Sequence, residues 1–308
     1  MTRLLQTIVD GIAAGSLYAM IALGYTMVYG VLQFINFAHG DVVTVGAWVS
    51  VLMIGAFGWA NLSPAAAPWA AVAIMLAAMI LCGLLGFTIE RLAYRPLRRA
   101  PRLNVLITAI GVSLLLQNVG QLPKVFGTEP RAMPAMFPET TLFTLGGVNI
   151  ILLDVLIVVI TQLLMIGLDL LVHRTKLGLG MRAVSFDANT AALMGVPVDR
   201  VISMTFVIGS SLAAAGGFLF AAKYRTLQQP ADMSWILLGL KAFVAAVVGG
   251  IGNIRGAMLG GILIGLLEML GASYLSPNLR DVYVFAVLIL VLLVKPTGIL
   301  GRAVKEKV

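Results

Sequence analysis

The sequence predicts an all-α polytopic membrane protein. Of its 308 residues, 60% are hydrophobic and only 11% are charged, and the mean hydropathy is +1.01. Soluble globular domains carry about 25% charged residues, so this composition excludes that class. Several apolar runs reach the roughly 20 residues that a helix needs to cross a hydrocarbon core about 30 Å thick. We therefore expect a single transmembrane domain over residues 1–308.

Apolar segments predict the membrane-crossing helices, in chain order. They lie near residues 8–32, 41–58, 69–90, 103–122, 150–172, 201–222, 236–251, 256–271 and 282–295. Nine crossings would place the N-terminus outside, and this fits best. Eight crossings with an internal N-terminus remain the alternative, because the break at 33–40 then does not reach the far surface.

Three basic segments predict the orientation of these helices. RLAYRPLRRAPR (91–102) carries five arginines, and HRTKLGLGMR (173–182) and the C-terminal KPTGILGRAVKEKV (295–308) are also basic. Short cytoplasmic loops are enriched in Lys and Arg. We therefore expect these segments and the C-terminus to be cytoplasmic and the long loop 123–149 to be periplasmic. Such loops also account for the net charge of +8 without any binding to nucleic acid.

A broken-helix pattern is predicted in each half of the chain. GYTMVYGVLQFINFAHGDVVTVGAW (24–48) reads as an apolar helix, a polar break with a glycine, and another apolar helix. LKAFVAAVVGGIGNIRGAMLGGILIG (240–265) repeats this plan, although not the residues. Transporters are commonly built from repeats whose broken helices lie near the substrate pathway.

The first break carries three polar side chains, Asn36, His39 and Asp41. Irregular backbone at membrane depth is tolerated only where protein or a water-filled cavity satisfies its polar groups. If the break lies at depth, these side chains are candidates for the translocation pathway. If it lies at the inner surface, it is a capped turn, with Asp41 favoured at the N-terminus of the next helix. We expect no metal site, because the other histidine of the chain, His173, is distant in sequence.

The second break is rich in glycine. Gly252, Gly256 and Gly260 follow one another at four-residue spacing, and Gly261 and Gly265 add another step. This spacing lines one face of a helix with residues that allow a neighbouring backbone to come close. We expect these glycines to pack helices together; a seam along which helices slide during transport is the alternative.

Lys241 and Glu268 are the most deeply placed ionisable residues of the second half. With nine crossings they lie on successive antiparallel helices, at roughly 6–8 Å depth for a rise of about 1.5 Å per residue. Charged groups inside a membrane usually pair or face a cavity, so we predict an ion pair between them. The alternative is that each side chain extends to the interface without pairing.

The sequence shows no enzyme active site. It contains no HExxH pattern, no usable Ser–His–Asp grouping and no phosphate-binding loop followed by Lys and Ser or Thr. The lone cysteine, Cys82, excludes an internal disulfide. We therefore expect no metal or cofactor in this chain, and energy for any active transport must come from a partner protein or an ion gradient.

A polar segment, GMRAVSFDANTAALMGVPVDRV (180–201), interrupts the apolar sequence. Its composition predicts one cytoplasmic helix over 182–195, ended by Pro197. Small residues recur at helical spacing on one side of that helix and form a small-residue stripe: Ala188, Ala191, Ala192 and Gly195. Arg182 and Asp187 lie off this stripe. A small-residue face favours close docking into another protein. The alternative, a helix lying on lipid, usually carries more bulky residues than Phe186, Leu193 and Met194.

The segment RAVSFDANTAALMGV resembles the cytoplasmic coupling loop of ABC importer permeases, whose signature is Glu-Ala-Ala, three residues, then Gly. Aligned on Gly195, the chain has Asn189, Thr190 and Ala191, so the second Ala and the Gly match. Further runs resemble the LivH-type permeases of the high-affinity branched-chain amino acid importers over nearly the whole chain: GYTMVYG, INFAHGD, TAIGVSLLLQN, TFVIGSSLAAAGG, KAFVAAVVGGIGNIRGAMLGG and KPTGILG.

This resemblance implies a permease in the bacterial inner membrane that imports branched-chain or other hydrophobic amino acids by alternating access. It implies a second permease of related fold, two cytoplasmic ATPase subunits that bind ATP and Mg²⁺, and a periplasmic binding protein. Residues 182–196 would be the coupling helix, contacting an ATPase through Arg182, Phe186, Asp187 and the small-residue stripe. Two alternatives stay open: an ABC permease for a related solute such as an amide or urea, and an ion-coupled amino acid carrier.

Overall fold

The computed structural model describes residues 2–62, 68–98, 100–138 and 140–301. Arg99 and residues 302–308, which belong to the predicted basic segments, and Glu139 of the predicted periplasmic loop lie outside the described residues. Helices dominate the described part of the chain, which confirms the all-α prediction. Their bounds are α1 Thr2–Leu32, α2 His39–Ala56, α3 Pro68–Ile89, α4 Arg102–Gly120, α5 Leu152–Arg174, α6 Lys176–Phe186, α7 Ala188–Leu193, α8 Val198–Tyr224, α9 Met233–Gly249, α10 Ile254–Tyr274 and α11 Arg280–Val294.

Within the described residues, eight helical segments are long and apolar enough to cross a membrane. They are α1 to α5, α8, α10, and α11 with the short 3-10 helix that precedes it. The remaining predicted segment, at 236–251, forms α9, an apolar helix of 17 residues. Each predicted segment thus coincides with a helix, and the ends differ by several residues.

Polar side chains begin several of these helices. Asp232 accepts a hydrogen bond from Ser234 N at the start of α9, and Asn253 accepts one from Gly256 N at the start of α10. Thr175 ends α5 and caps α6 by accepting from Gly178 N, at 3.1 Å. Such side-chain oxygens satisfy amide groups that the first turn leaves without a partner, so short connections suffice between long helices.

The helix ends form two groups, at opposite ends of the bundle. At one end, which we call the basic end, Arg98 pairs with Asp199, Arg255 pairs with Asp169, and the C-terminal segment bonds to α9 through Leu300 N and Gly249 O. The described parts of all three basic segments lie at this end. At the opposite end, Lys223 pairs with Asp154.

The long segment between α4 and α5 contains short strands rather than loop alone. β1 (Arg131–Ala132) pairs antiparallel with β4 (Thr226–Leu227), and β2 (Thr141–Leu145) pairs antiparallel with β3 (Val148–Ile151). The Trp48 indole in α2 donates to Gln228 O beside β4, at 3.2 Å. These strands therefore cover the opposite end of the bundle.

The helices divide into a buried centre and an apolar periphery. α1 and α8 are buried along most of their length, whereas α4, α5 and α11 leave most of their apolar side chains partly or fully exposed. An apolar surface of this extent is stable only against lipid or another membrane protein. The chain is a multi-pass membrane protein.

Candidate translocation and coupling sites

The break between α1 and α2 lies deep in the bundle. His39, the first residue of α2, places Nε2 3.2 Å from Ile21 O. Ile21 precedes the end of α1 at Leu32 by 11 residues, about 16 Å at a rise of 1.5 Å per residue. Gly40 packs on Gly239, which precedes the end of α9 by 10 residues, about 15 Å on the same scale. Residues 33–38 therefore return from the basic end to the middle of the bundle.

The protein itself satisfies the polar groups of this break. Asn36 Oδ1 accepts from Ala38 N at 3.1 Å and from Tyr94 Oη at 2.7 Å. Asp41 Oδ1 accepts from Gln117 Nε2 at 2.8 Å, and it lies in the first turn of α2. Asn36, His39 and Asp41 are all buried. The break therefore lies deep in the bundle rather than at its surface. Asp41 still occupies the first turn of α2, as the other alternative expected.

Glycine makes room for the His39 ring. A Cβ atom on Gly24 would overlap that ring, which also packs edge-on against Tyr25 with centroids 4.5 Å apart. The middle of α1 is thus shaped around the start of α2.

The second break differs from the first, and the prediction that Gly252 shares a helix face with Gly256 and Gly260 is wrong. Gly252 has φ +92° and lies in the turn before α10, where it approaches Gly30. It therefore does not share a helix face with Gly256 and Gly260. The reason is that Asn253 caps α10, so the helix begins at Ile254.

The other four glycines give α10 two close-packing faces. Gly256 and Gly260 press on α9, with the Gly249 backbone as their shared contact, whereas Gly261 and Gly265 press on α1 at Ala19 and Gly15. Packing of helices by small residues is as predicted, but it involves two neighbours rather than one.

Lys241 and Glu268 form the predicted ion pair, with Nζ 2.9 Å from Oε1. Both side chains are buried. Lys241 also lies 2.6 Å from Asp281 Oδ1, and Glu268 Oε2 accepts from Tyr18 Oη at 2.7 Å. The network therefore joins α9, α10, α11 and α1. The pair is somewhat deeper than expected, because α9 begins at Met233 and Lys241 follows it by eight residues.

A second buried network was not identified from the sequence. Glu90, which is fully buried, accepts from Ser203 Oγ at 2.6 Å and pairs with Arg98. Arg95 and Arg98 both pair with Asp199 at the start of α8. The signal was present, because an acid at the end of an apolar run needs a partner and the basic segment 91–102 follows at once.

The predicted helix over 182–195 is two helices. Asp187 has an extended backbone (φ −160°, ψ 110°), which ends α6 and begins α7. Its carboxylate accepts from the hydroxyl and amide of Thr190 and from the amide of Asn189. These hydrogen bonds, the Thr190 hydroxyl first, lower the pKa of Asp187 below its ordinary value. Asp187, which the sequence placed beside the small-residue stripe, is thus the N-cap of α7.

The small-residue stripe does not form one docking face either. Ala191 is buried in the chain's own core, while Ala188, Ala192 and Gly195 are exposed. Gly195 has φ +82°, and the hydrogen bonds Gly195 N–Ala192 O and Val196 N–Ala191 O close α7 in the manner of a Schellman cap. The most exposed side chains here are bulky instead: Phe186, Leu193 and Met194, at 83%, 88% and 80%.

Arg182 lies apart from that surface, in a cavity of about 680 Å³ at the basic end. The cavity lies between α1, α5, α6, the turn from α9 to α10, and the C-terminal segment. No hydrogen bond or ion pair reaches Arg182 from the described residues. Within the same part of the chain, no group of three or more His, Cys, Asp or Glu is arranged to hold a metal.

Comparison with known proteins places these features in a family. Residues 7–292 match the family described as branched-chain amino acid transport system / permease component. The chain is 43% identical to the high-affinity branched-chain amino acid transport permease BraD of Pseudomonas aeruginosa, over 99% of this chain and 98% of that protein. It is 42% identical to the permease LivH of Escherichia coli K12, over 99% and 97%. A probable LivH from Methanocaldococcus jannaschii is 29% identical over 96% and 92%. No solved structure matches.

Proposed function

Because the chain belongs to the branched-chain amino acid transport permease family, we propose that it is the permease subunit of an ATP-driven importer of branched-chain or other hydrophobic amino acids. The observation that carries this proposal is the similarity along nearly the whole chain to BraD and LivH. The chain itself is a non-catalytic membrane subunit that works with other ABC transporter subunits. Hydrolysis of ATP with Mg²⁺ belongs to two partner ATPases.

The basic end is the cytoplasmic end in this proposal. The positive-inside rule supports that orientation, because the described parts of the basic segments share this end. The C-terminus is then cytoplasmic in the bacterial inner membrane, and the strands β1 to β4 face the periplasmic binding protein.

The ATPase docks on α6 and α7. The exposed apolar residues Leu193 and Met194, together with Phe186, support this assignment, since large apolar side chains that project at an end of the bundle require a partner surface. Asp187 and Gly195 fix the backbone of α7 so that these side chains project together. Ala191 stabilises α7 against the rest of the chain.

The break at residues 33–38 is the element of the translocation pathway in this chain, with Asn36, His39 and Asp41 near the middle of the bundle. Non-helical backbone at that depth is characteristic of transporter binding regions. The second permease, of related fold, completes the pathway on the exposed apolar side. ATP binding must favour the outward-open state. Shifting the ratio of outward-open to resting transporters from 1:99 to 99:1 requires ATP to bind the outward-open state more tightly by about 5.5 kcal/mol.

Uptake of radiolabelled leucine into proteoliposomes tests this proposal. The vesicles hold this chain with its partner permease, ATPases and binding protein, and each component is omitted in turn. We expect uptake that requires ATP and every component, with valine and isoleucine competing. ATP-dependent uptake of an amide or urea but of no amino acid would support the related-solute alternative. Uptake that a proton or sodium gradient drives without ATPases would make the chain a carrier.

A further inference from the structure

A π-helical turn, Glu90–Tyr94, continues α3 at the basic end and directs two side chains inward. Glu90 and Tyr94 are 0% and 2% exposed, whereas Arg91 and Leu92 between them are exposed. π-Helical turns are rare and frequently lie at functional sites. The two inward side chains of this turn contact the break at residues 33–38 and the start of α8.

The Tyr94 side chain contacts the break. Its hydroxyl donates to Asn36 Oδ1 at 2.7 Å, and its ring packs against Phe34 with centroids 5.4 Å apart. The same ring packs against Phe206 of α8, with centroids 5.2 Å apart. Asn36 Oδ1 also accepts from Ala38 N at 3.1 Å. The Tyr94 hydroxyl is therefore one of two donors that orient the buried Asn36 side chain.

The Glu90 side chain attaches the same turn to α8. Glu90 Oε2 accepts from Ser203 Oγ at 2.6 Å, and its other oxygen pairs with Arg98. Arg98 pairs in turn with Asp199, in the first turn of α8. Residues 194–197 alone separate α8 from α7, the helix that docks the ATPase in the proposed function. The turn is thus bonded to α8 directly after the docking helix.

These contacts form a continuous connection from the docking helix to the break. Energetic coupling between distant sites is carried by such chains of packed side chains and hydrogen bonds. We propose that Tyr94 is a positioning residue that transmits movement of the start of α8 to Asn36, so that ATP-driven movement of α7 shifts the break. The role rests on the proposed function, in which α7 docks the ATPase and the break borders the pathway.

Tyr94→Phe tests this role, because it removes the hydroxyl and keeps the ring that packs against Phe34 and Phe206. Leucine uptake and ATP hydrolysis are measured in the same proteoliposomes, which hold the permease pair, the ATPases and the binding protein. We expect uptake per ATP hydrolysed to fall roughly three- to tenfold, the equivalent of one hydrogen bond. Hydrolysis itself should change less than about twofold on that scale. An unchanged ratio of uptake to hydrolysis would overturn the role.

Tyr18→Phe is the matched control. Tyr18 is also buried, and its hydroxyl donates to Glu268 Oε2 over the same distance of 2.7 Å, but near the opposite end of the bundle. Loss of stability at that end should lower uptake and hydrolysis together, so the ratio between them should not change. An equal fall of the ratio in both variants would overturn a specific role for Tyr94, because any lost buried hydrogen bond would then uncouple the transporter.

Two further variants test the ends of the connection. Ser203→Ala releases Glu90 from α8 and should lower the ratio as Tyr94→Phe does; an unchanged ratio would overturn the transmission from α8. Asn36→Ala should lower it too, and adding Tyr94→Phe should have no further effect, because the acceptor is already absent. A further fall in this double variant would overturn transmission through Asn36. Absence of ATP-dependent uptake in the wild type would instead contradict the proposed function, and the role of Tyr94 with it.

Discussion

Lys241 lies between two acids: its Nζ is 2.9 Å from Glu268 Oε1 and 2.6 Å from Asp281 Oδ1. A buried cation with two acidic partners is tied to both α10 and α11, and Tyr18 holds the far oxygen of Glu268 from α1. This network therefore fixes how four helices meet near the opposite end of the bundle.

Lys241→Met should destabilise the protein by about 3–5 kcal/mol, because it leaves buried acids without their cation. The double variant Lys241→Met with Glu268→Gln should lose less unfolding free energy than the two single variants lose together, and the difference should be about 0.5–3 kcal/mol. Neutral variants are needed, since reversing both charges would set an acid at position 241 against Asp281. Unfolding of the detergent-solubilised protein measures these values. Lys124→Met, in an exposed loop, is the control, and strict additivity would contradict the coupling.

Gly24→Ala should reduce uptake, because the added methyl group meets the His39 ring and displaces the start of α2. The steric origin of this effect has a specific consequence. His39→Ala should reduce uptake on its own, yet the double variant should be less impaired than the product of the two single effects predicts. Initial uptake rates, normalised to the amount of inserted protein, measure this difference. Independent losses in the double variant would show that Gly24 and His39 do not act through their contact.

Gly15→Ala should destabilise the protein by about 1–3 kcal/mol, as overpacking does. The new Cβ would lie 2.7 Å from Ile262 Cα, which is backbone and cannot rotate away. Gly111→Ala is the matched control: its Cβ meets no atom within 4 Å in α4, so it should be neutral or stabilise by up to about 1 kcal/mol. Thermal unfolding in detergent compares the two. Similar losses would mean that close packing of α1 on α10 is not the cause.

Leu193→Ser should weaken association with the ATPase about tenfold or more, since it removes a large apolar side chain worth about 1.5–3 kcal/mol from the proposed interface. Affinity is measured between purified ATPase and the permease pair in nanodiscs. Leu275→Ser removes an equally bulky and exposed leucine at the opposite end of the bundle and should have no effect. Ala191 is unsuitable for this test because it is buried in the chain's own core. Unchanged affinity in Leu193→Ser would contradict docking through α7.

The apolar pattern was sufficient to predict the helices, and intramembrane charge was sufficient to predict the Lys241–Glu268 pair. Both signals are local or follow from the cost of an unpaired charge in hydrocarbon. The sequence could not show that Asp281 and Tyr18 join this pair, because those contacts depend on how α11 and α1 pack.

The docking segment was harder to predict, for a reason visible at Asp187. Its composition favours helix throughout, so residues 182–195 read as one element. The side chain of Asp187, however, accepts hydrogen bonds from the backbone amides of Asn189 and Thr190, and such residues favour a cap over a helix interior. Once the helix restarts, the rotation of α7 changes, and Ala191 turns inward. A prediction that misplaces the start of a helix therefore assigns its residues to the wrong face.

The two glycine faces of α10 have a consequence for motion. With α1 against one face and α9 against the other, backbone meets backbone at the glycines of both faces, and no flexible side chain separates the helices at these contacts. Sliding any one of them would drive side chains into backbone. We therefore expect α1, α9 and α10 to move as a single rigid block rather than to slide past one another, with the hinges of the transport cycle in the segments that connect this block to the peripheral helices.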